Sequence, residues 1–203
     1  MNTTKTPKIP LTIGIDADGQ DMVIDLAKAK NILIAGAPEQ GKTTLLEAIG
    51  ESLANGSKER SIQVVRYSPE VLSNLSEELV QRSAPIGDTS TEAQPVIALL
   101  IDEYAYLVPE RALLRQVQAL AQQGPKVGIH LIMTTASPTV DIITSRIKTL
   151  FPTRIALRTR SRIDSCTIID MPGAEKLTSP GEMLLLYKAD IYRLQGVLPP
   201  ADI

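Results

Sequence analysis

Ile32-Leu33-Ile34-Ala35-Gly36-Ala37-Pro38-Glu39-Gln40-Gly41-Lys42-Thr43-Thr44-Leu45 is the stretch that decides the fold. An apolar run ends at Gly36, Gly41-Lys42-Thr43 follows four residues later, and Leu45 to Leu53 is a helix-favouring segment. This is G-x-x-x-x-G-K-T in the context it needs, after a strand and before a helix. Gly36 and Gly41 are expected to let the backbone turn tightly around an anion, because glycine reaches positive φ without steric cost. The amides of Gly36 to Thr44 and the helix N-terminus then point at phosphate oxygens. Lys42 would reach the β- and γ-phosphates of a nucleotide, and the Thr43 hydroxyl would ligate Mg²⁺. Glu39 puts a carboxylate on the loop and is expected to face solvent, since backbone amides do most of the cradling.

Outward from this loop, the spacing predicts alternating strands and helices. Strands are expected at 31–35, 62–67, 96–101, 128–134 and 153–157, and helices from 45 to about Asn55-Gly56 and over 69–82, 109–123, 140–150 and 161–170. Val96 to Ile101 is apolar throughout, as suits a strand buried on both faces of a parallel sheet. Hairpins are expected at both ends, one across Ala17-Asp18-Gly19-Gln20 and one across Lys188-Ala189-Asp190, with the last strand reaching Val197. Residues 84–95 are polar and read as a surface loop. The fold class is therefore α/β, a mainly parallel central sheet flanked by helices with N- and C-terminal hairpins. Residues 1–9 read as a flexible lead-in and 10–203 as a single domain.

Composition narrows the function. The chain has 203 residues, 43% hydrophobic and 22% charged, with net charge −2. No apolar run is long enough to span a membrane, and Met1 to Ile9 has no apolar core, so neither a membrane segment nor a secretory signal is expected. Cys166 is the only cysteine and His130 the only histidine, which excludes internal disulfides and Cys/His-cluster metal sites. His130, inside Gly128-Ile129-His130-Leu131-Ile132, reads as a packed residue.

Leu99-Leu100-Ile101-Asp102-Glu103 is an apolar strand ending in two acids, where ligands bind in open α/β sheets. Asp102 would hold Mg²⁺ and Glu103 would deprotonate the attacking water. Thr134 and Thr135 end another strand and read equally as groups that face the γ-phosphate or as ordinary strand-end hydrogen bonding. Arg146, Lys148, Arg154, Arg158, Arg160 and Arg162 form a basic cluster, with no acid from Ile142 to Ile163. Such a segment suits phosphate contacts to DNA, an acidic neighbouring subunit, or a solvated face.

With these residues in view, the chain resembles the motor domain of FtsK/SpoIIIE-type DNA translocases. The resemblance runs through Asp25-Leu26-Ala27-Lys28, the phosphate loop, Ile101-Asp102-Glu103-Tyr104-Ala105, Gly128-Ile129-His130-Leu131 and Pro138-Thr139-Val140-Asp141-Ile142-Ile143-Thr144. It continues through Pro152-Thr153-Arg154-Ile155-Ala156, Gly173-Ala174-Glu175 and Gly181-Glu182-Met183-Leu184. It implies a RecA-like, ATP- and Mg²⁺-dependent, cytoplasmic motor. Such motors form a homo-oligomeric ring, usually a hexamer, around double-stranded DNA, with each site between subunits. No direct membrane contact by this chain is expected, the family's membrane-spanning, linker and DNA-reading parts being absent from it. Three departures stand out. Only Ser68 to Pro95 fills the place of a long helical insertion. Thr135-Ala136-Ser137-Pro138 replaces Thr-Gln-Arg-Pro. Gly124-Pro125-Lys126-Val127 stands where the family tends to present an arginine to the neighbour's nucleotide, and Lys126 lacks the planar fork of arginine. Cys166 also replaces a usual arginine. These losses keep open an alternative: a nucleotide-binding interaction module of a secretion or mobile-element ATPase, with little turnover and no DNA substrate.

Overall fold

The computed structural model describes residues 7–55, 61–84 and 94–196. The expected lead-in before residue 7, the helix stop at Gly56, most of the 84–95 loop and the chain beyond residue 196 lie outside the described residues.

In chain order the elements are β1 (Pro10–Ile15), β2 (Asp21–Asp25), α1 (Leu26–Ala29), β3 (Ile32–Ala35), α2 (Lys42–Asn55), β4 (Ile62–Arg66), α3 (Pro69–Ser83) and β5 (Val96–Ile101). Then come α4 (Arg111–Gln123), β6 (Ile129–Thr135), α5 (Ser145–Leu150), β7 (Thr153–Leu157), α6 (Arg162–Ile169), β8 (Glu182–Tyr187) and β9 (Asp190–Gln195). The described strands form one sheet of order β2-β1-β9-β8-β7-β3-β6-β5-β4. Its half from β7 to β4 is parallel. The C-terminal hairpin adds to β7 antiparallel, and the N-terminal hairpin joins β9 through the Ile15–Gln195 pair. The mainly parallel sheet with terminal hairpins is thus as expected, and the hairpins extend the same sheet.

Strands β3, β5, β6 and β7 are buried along their whole length. Alternate side chains feed two cores. Leu33, Leu99, Ile101, Leu131 and Met133 meet α3 and α4 on one face. Ile32, Ile34, Leu100 and Ile132 meet α2 and the N-terminal hairpin on the other. Burying each such side chain stabilises by about 1.5–3 kcal/mol. The helices start where side chains can cap orphan amides. Ser68 accepts from the Val71 amide (3.1 Å) ahead of Pro69, and Ser161 and Asp164 form a reciprocal capping box.

Three boundaries differ from expectation. The 140–150 helix begins at Ser145, because the Thr144 hydroxyl caps Ile147 and residues 139–143 form a turn closed by Ile143 donating to the Thr139 carbonyl (2.8 Å). The helix expected from residue 109 starts at Arg111, preceded by a 3₁₀ turn over Tyr104–Leu107. Leu26, where the second arm of the N-terminal hairpin is expected to end, instead opens one helical turn, Leu26–Ala29, capped by Asp25.

Opposite the phosphate loop, the strands begin on a buried polar layer. His130 is 1% exposed, its Nδ1 lies 2.6 Å from the Lys30 carbonyl, and burial pushes its pKa down. It is the packed residue expected. The fully buried Asn31 donates to the Ala121 (2.7 Å) and Leu150 (2.8 Å) carbonyls and accepts from the Leu131 amide (2.9 Å). One side chain therefore satisfies backbone from α4, α5 and β6. Asn31→Ala leaves these groups buried without partners, and each such group costs about 1–3 kcal/mol. We expect a loss of about 2–4 kcal/mol of stability, measured by denaturant unfolding.

Candidate active site

The phosphate loop connects β3 to α2 at the carboxyl end of the parallel strands, between the ends of β6 and β7. Two backbone bonds seat it there: Gly36 donates to the Thr135 carbonyl (3.4 Å) and Ala37 to the Arg158 carbonyl (2.8 Å). Gly41 has φ +90°, the left-handed conformation expected of it. Gly36 does not adopt positive φ, and its need for glycine is different. A Cβ there would lie 2.9 Å from the Leu157 Cβ and 3.1 Å from the Arg158 carbonyl. Glu39 is exposed at φ 62°, so its carboxylate stands clear of the cradle.

Helix α2 starts at Lys42, three residues earlier than expected, so Lys42, Thr43 and Thr44 form its first turn. The free amides of that turn are an anion site. Lys42 is only 8% exposed, and its Nζ donates to the Ala37 carbonyl (2.7 Å). Burial pushes its pKa down from 10.5, with Glu103 and Asp102 pulling the other way. The loop closes around its own lysine, within reach of whatever anion the amides take.

The second half of the site comes from β5, which is not adjacent to β3. Strand β6 lies between them. Across its end the Thr43 hydroxyl donates to Asp102 Oδ2 (2.9 Å), joining loop and acid strand. A hydroxyl and a carboxylate side by side are hard oxygen donors of the kind Mg²⁺ takes, with phosphate and water completing its shell. Among the described residues there is no cluster of three or more His, Cys, Asp or Glu that could hold a metal by itself.

Glu103 turns out of the strand with φ 52° and ψ 68°, left-handed for a non-glycine residue, while the next side chain, Tyr104, is 2% exposed. The Glu103 carboxylate accepts from the Thr135 hydroxyl (2.9 Å) and the Ala136 amide (2.8 Å). Thr134 donates to Asp102 Oδ1 (2.5 Å) and accepts from the Glu103 amide (2.8 Å). The two threonines thus hydrogen-bond at their strand end, each to one of the two acids. Sequence reading missed these contacts, though a signal existed. Two acids ending one strand and two threonines ending its neighbour are level with each other when Ile101 pairs with Met133.

The basic cluster divides into members paired with an acid and exposed members. Arg154 is 6% exposed, and it and Lys148 (2.6 Å) both pair with Asp170, the acid just past α6. Arg154 is buried in its pair, while Lys148 and Asp170 are partly exposed; the sequence could not supply this pairing because Asp170 lies outside the acid-free run. Arg146, Arg158, Arg160 and Arg162 remain exposed. Arg158 and Arg160 follow β7 directly, beside the phosphate loop. Lys126 ends a 3₁₀ turn before β6, at the opposite end of that strand from the loop. No helix among the described residues is long and apolar enough to cross a membrane.

Residues 1–76 match the model of the FtsK/SpoIIIE family. DNA translocase SftA of Bacillus subtilis (strain 168) is 32% identical over 240 residues, covering 95% of this chain and 25% of that protein. DNA translocase FtsK of Listeria monocytogenes is 30% identical over 228 residues, covering 88% of this chain and 30% of that protein. The chain thus spans 25% and 30% of the length of these curated relatives. Among solved structures, the monomer form of the pCW3 conjugation coupling protein TcpA with ATPγS superposes with a TM-score of 0.79 at 22% identity, over 96% of this chain and 67% of that one. The cytoplasmic domain of the type VII secretion ATPase EccC from Thermomonospora curvata gives 0.77 at 19% identity, over 97% of this chain and 29% of that one. At these identities the two structures speak to fold alone, an α/β fold with a mixed sheet. Phosphate loop, paired acids, strand order and sequence relatives agree: the chain matches the FtsK/SpoIIIE family over residues 1–76 and is similar to DNA translocases over most of its length.

Proposed function

We propose that the chain binds Mg-ATP at Gly36 to Thr44 and hydrolyses it as the motor, or motor-derived, domain of an FtsK/SpoIIIE-type translocase. The hydrolysis is coupled to movement along double-stranded DNA by a homo-oligomer, a hexameric ring in the full assembly, in the cytoplasm. One observation carries the reading: Thr43 and Asp102 lie 2.9 Å apart with Lys42 and Glu103 beside them. Those are the parts that phosphoryl transfer to water requires.

In this reading the first-turn amides of α2 and the Lys42 ammonium hold the β- and γ-phosphate oxygens. Thr43 and Asp102 would hold Mg²⁺, which when bound offsets charge on those phosphates. Glu103 takes the proton of the attacking water. Each of its oxygens has one protein donor and a second lone pair with which to receive that water. Phosphate contacts to DNA fall to Arg146, Arg158, Arg160 and Arg162.

The departures set an expectation for the rate. Ala136, Ser137 and Pro125 stand where the resemblance puts a γ-phosphate sensor and a trans-acting arginine, which can contribute about 10³–10⁵ in rate. The isolated chain should therefore turn over slowly, as a monomer or small oligomer, with modest stimulation by duplex DNA. ATP turnover with and without duplex DNA, alongside solution mass, tests this. DNA affinity should fall steeply with salt. The combined change of Arg158, Arg160 and Arg162 to alanine should flatten that dependence by about 0.9 in log–log slope for each phosphate contact removed. A stable hexamer with strongly DNA-stimulated turnover would show that another cation does the arginine's work. Nucleotide binding with no turnover would favour the interaction module, the reading that the same departures support.

A further inference from the structure

We propose that Thr134 and Thr135 are positioning residues, one for each acid: Thr134 sets Asp102 for the divalent cation, and Thr135 sets Glu103 for the attacking water. The proposal rests on the nucleotide-hydrolysing reading of the site.

The argument begins with proton direction. A threonine hydroxyl has one hydrogen to donate and two lone pairs. The Thr134 hydroxyl lies 2.8 Å from the Glu103 amide, and the Thr135 hydroxyl 3.1 Å from the Ser137 amide. An amide N–H can only donate, so each hydroxyl is an acceptor there, and its own hydrogen is free for the other neighbour. That neighbour is a carboxylate oxygen in both cases: Asp102 Oδ1 at 2.5 Å for Thr134, and Glu103 Oε1 at 2.9 Å for Thr135. Both threonines are fully buried, so water does not compete for these hydrogens.

The division of labour follows from the strand. Consecutive side chains leave a strand on opposite faces. Asp102 and Thr134 meet on the α2 side, where Thr43 completes the grip on the other Asp102 oxygen. Glu103 and Thr135 meet on the far side, where the Ala136 amide takes the second Glu103 oxygen. The left-handed backbone of Glu103 is strained by about 1–3 kcal/mol, strain that persists only where surrounding contacts over-determine it. Its amide bonded to Thr134 and its carboxylate bonded to Thr135 supply that constraint from one strand end. Outer contacts of this kind are worth about 10–100-fold in metal affinity or activity.

The test separates the two threonines by the Mg²⁺ midpoint, on the full chain. Affinity for a fluorescent ATP analogue is titrated against Mg²⁺, and kcat and KM are measured at saturating Mg²⁺. Thr134→Val should raise the Mg²⁺ concentration needed for tight nucleotide binding by about 10-fold or more. Thr135→Val should leave that midpoint in place and lower kcat by about 10–100-fold with KM little changed. Serine at either position, which keeps the hydroxyl, should restore the affected quantity. Should a valine variant melt below the wild type, alanine against serine makes the same comparison. Because Thr134 also accepts from the Glu103 amide, its valine variant is expected to lower kcat as well; the proposal is overturned if Thr134→Val leaves the Mg²⁺ midpoint in place, if Thr135→Val shifts it or leaves kcat unchanged, or if serine is no better than valine. A wild type that binds no nucleotide overturns the underlying reading of the site, and the roles of the threonines with it.

Discussion

Replacing Lys42 with alanine should remove most nucleotide binding. The side chain is 8% exposed and stands on the first turn of α2, beside the free amides of that turn. Truncating one partner of a buried, hydrogen-bonded charge pair costs about 2–5 kcal/mol, which is roughly thirty- to several-thousand-fold in Kd. The loop also loses a fixed point, because Lys42 donates to the Ala37 carbonyl (2.7 Å) and so ties the first turn of α2 back to the strand end. Calorimetric titration with Mg-ATP measures the effect. Lys42→Arg should recover only part of it, since a planar fork does not match a pocket built around a point charge. Unchanged affinity in the alanine variant would remove the phosphate-loop assignment.

Glu103→Gln should separate binding from chemistry. Glutamine keeps the shape, and its surroundings accept it: the amide oxygen can take the Ala136 N–H, while the amide nitrogen faces Thr135, whose hydroxyl has a lone pair to offer. Folding and nucleotide affinity should therefore be kept. What goes is the proton acceptor for water, and general-base catalysis contributes about 10²–10⁴-fold. Steady-state turnover should fall by at least ~10²-fold at unchanged nucleotide Kd. Equal turnover by both forms would mean that water is activated elsewhere, or that the native chain hardly turns over.

Most of the fold was legible because the buried strands announce themselves. Val96 to Ile101 and Ile129 to Met133 are apolar on both faces, which only a covered sheet can use. The phosphate loop and the Asp102-Glu103 pair were legible because their chemistry is local. What stayed hidden depends on which distant residue arrives beside which. Gly36 is required by the approach of Leu157 and Arg158, more than a hundred positions away in sequence, and not by its own backbone angles. Lys148 and Arg154 looked free because Asp170, which meets both, sits beyond the window in which charges were compared. The start of α5 was misplaced for the opposite reason. A local competitor, the Thr144 hydroxyl, offered the helix a better first residue than the apolar periodicity suggested.

The strand order bears on how the protein is made. β3 carries the phosphate loop, yet both of its sheet neighbours, β6 and β7, follow it by about a hundred residues. While the chain leaves the ribosome, the loop emerges before either neighbour and has nothing to sit on. Its strand would have bare backbone on both edges until Thr135 clears the exit tunnel, and on one edge until Leu157 does. The nascent domain would thus be blind to nucleotide until β6 and β7 are in place, and ATP could act as a folding template only from that point.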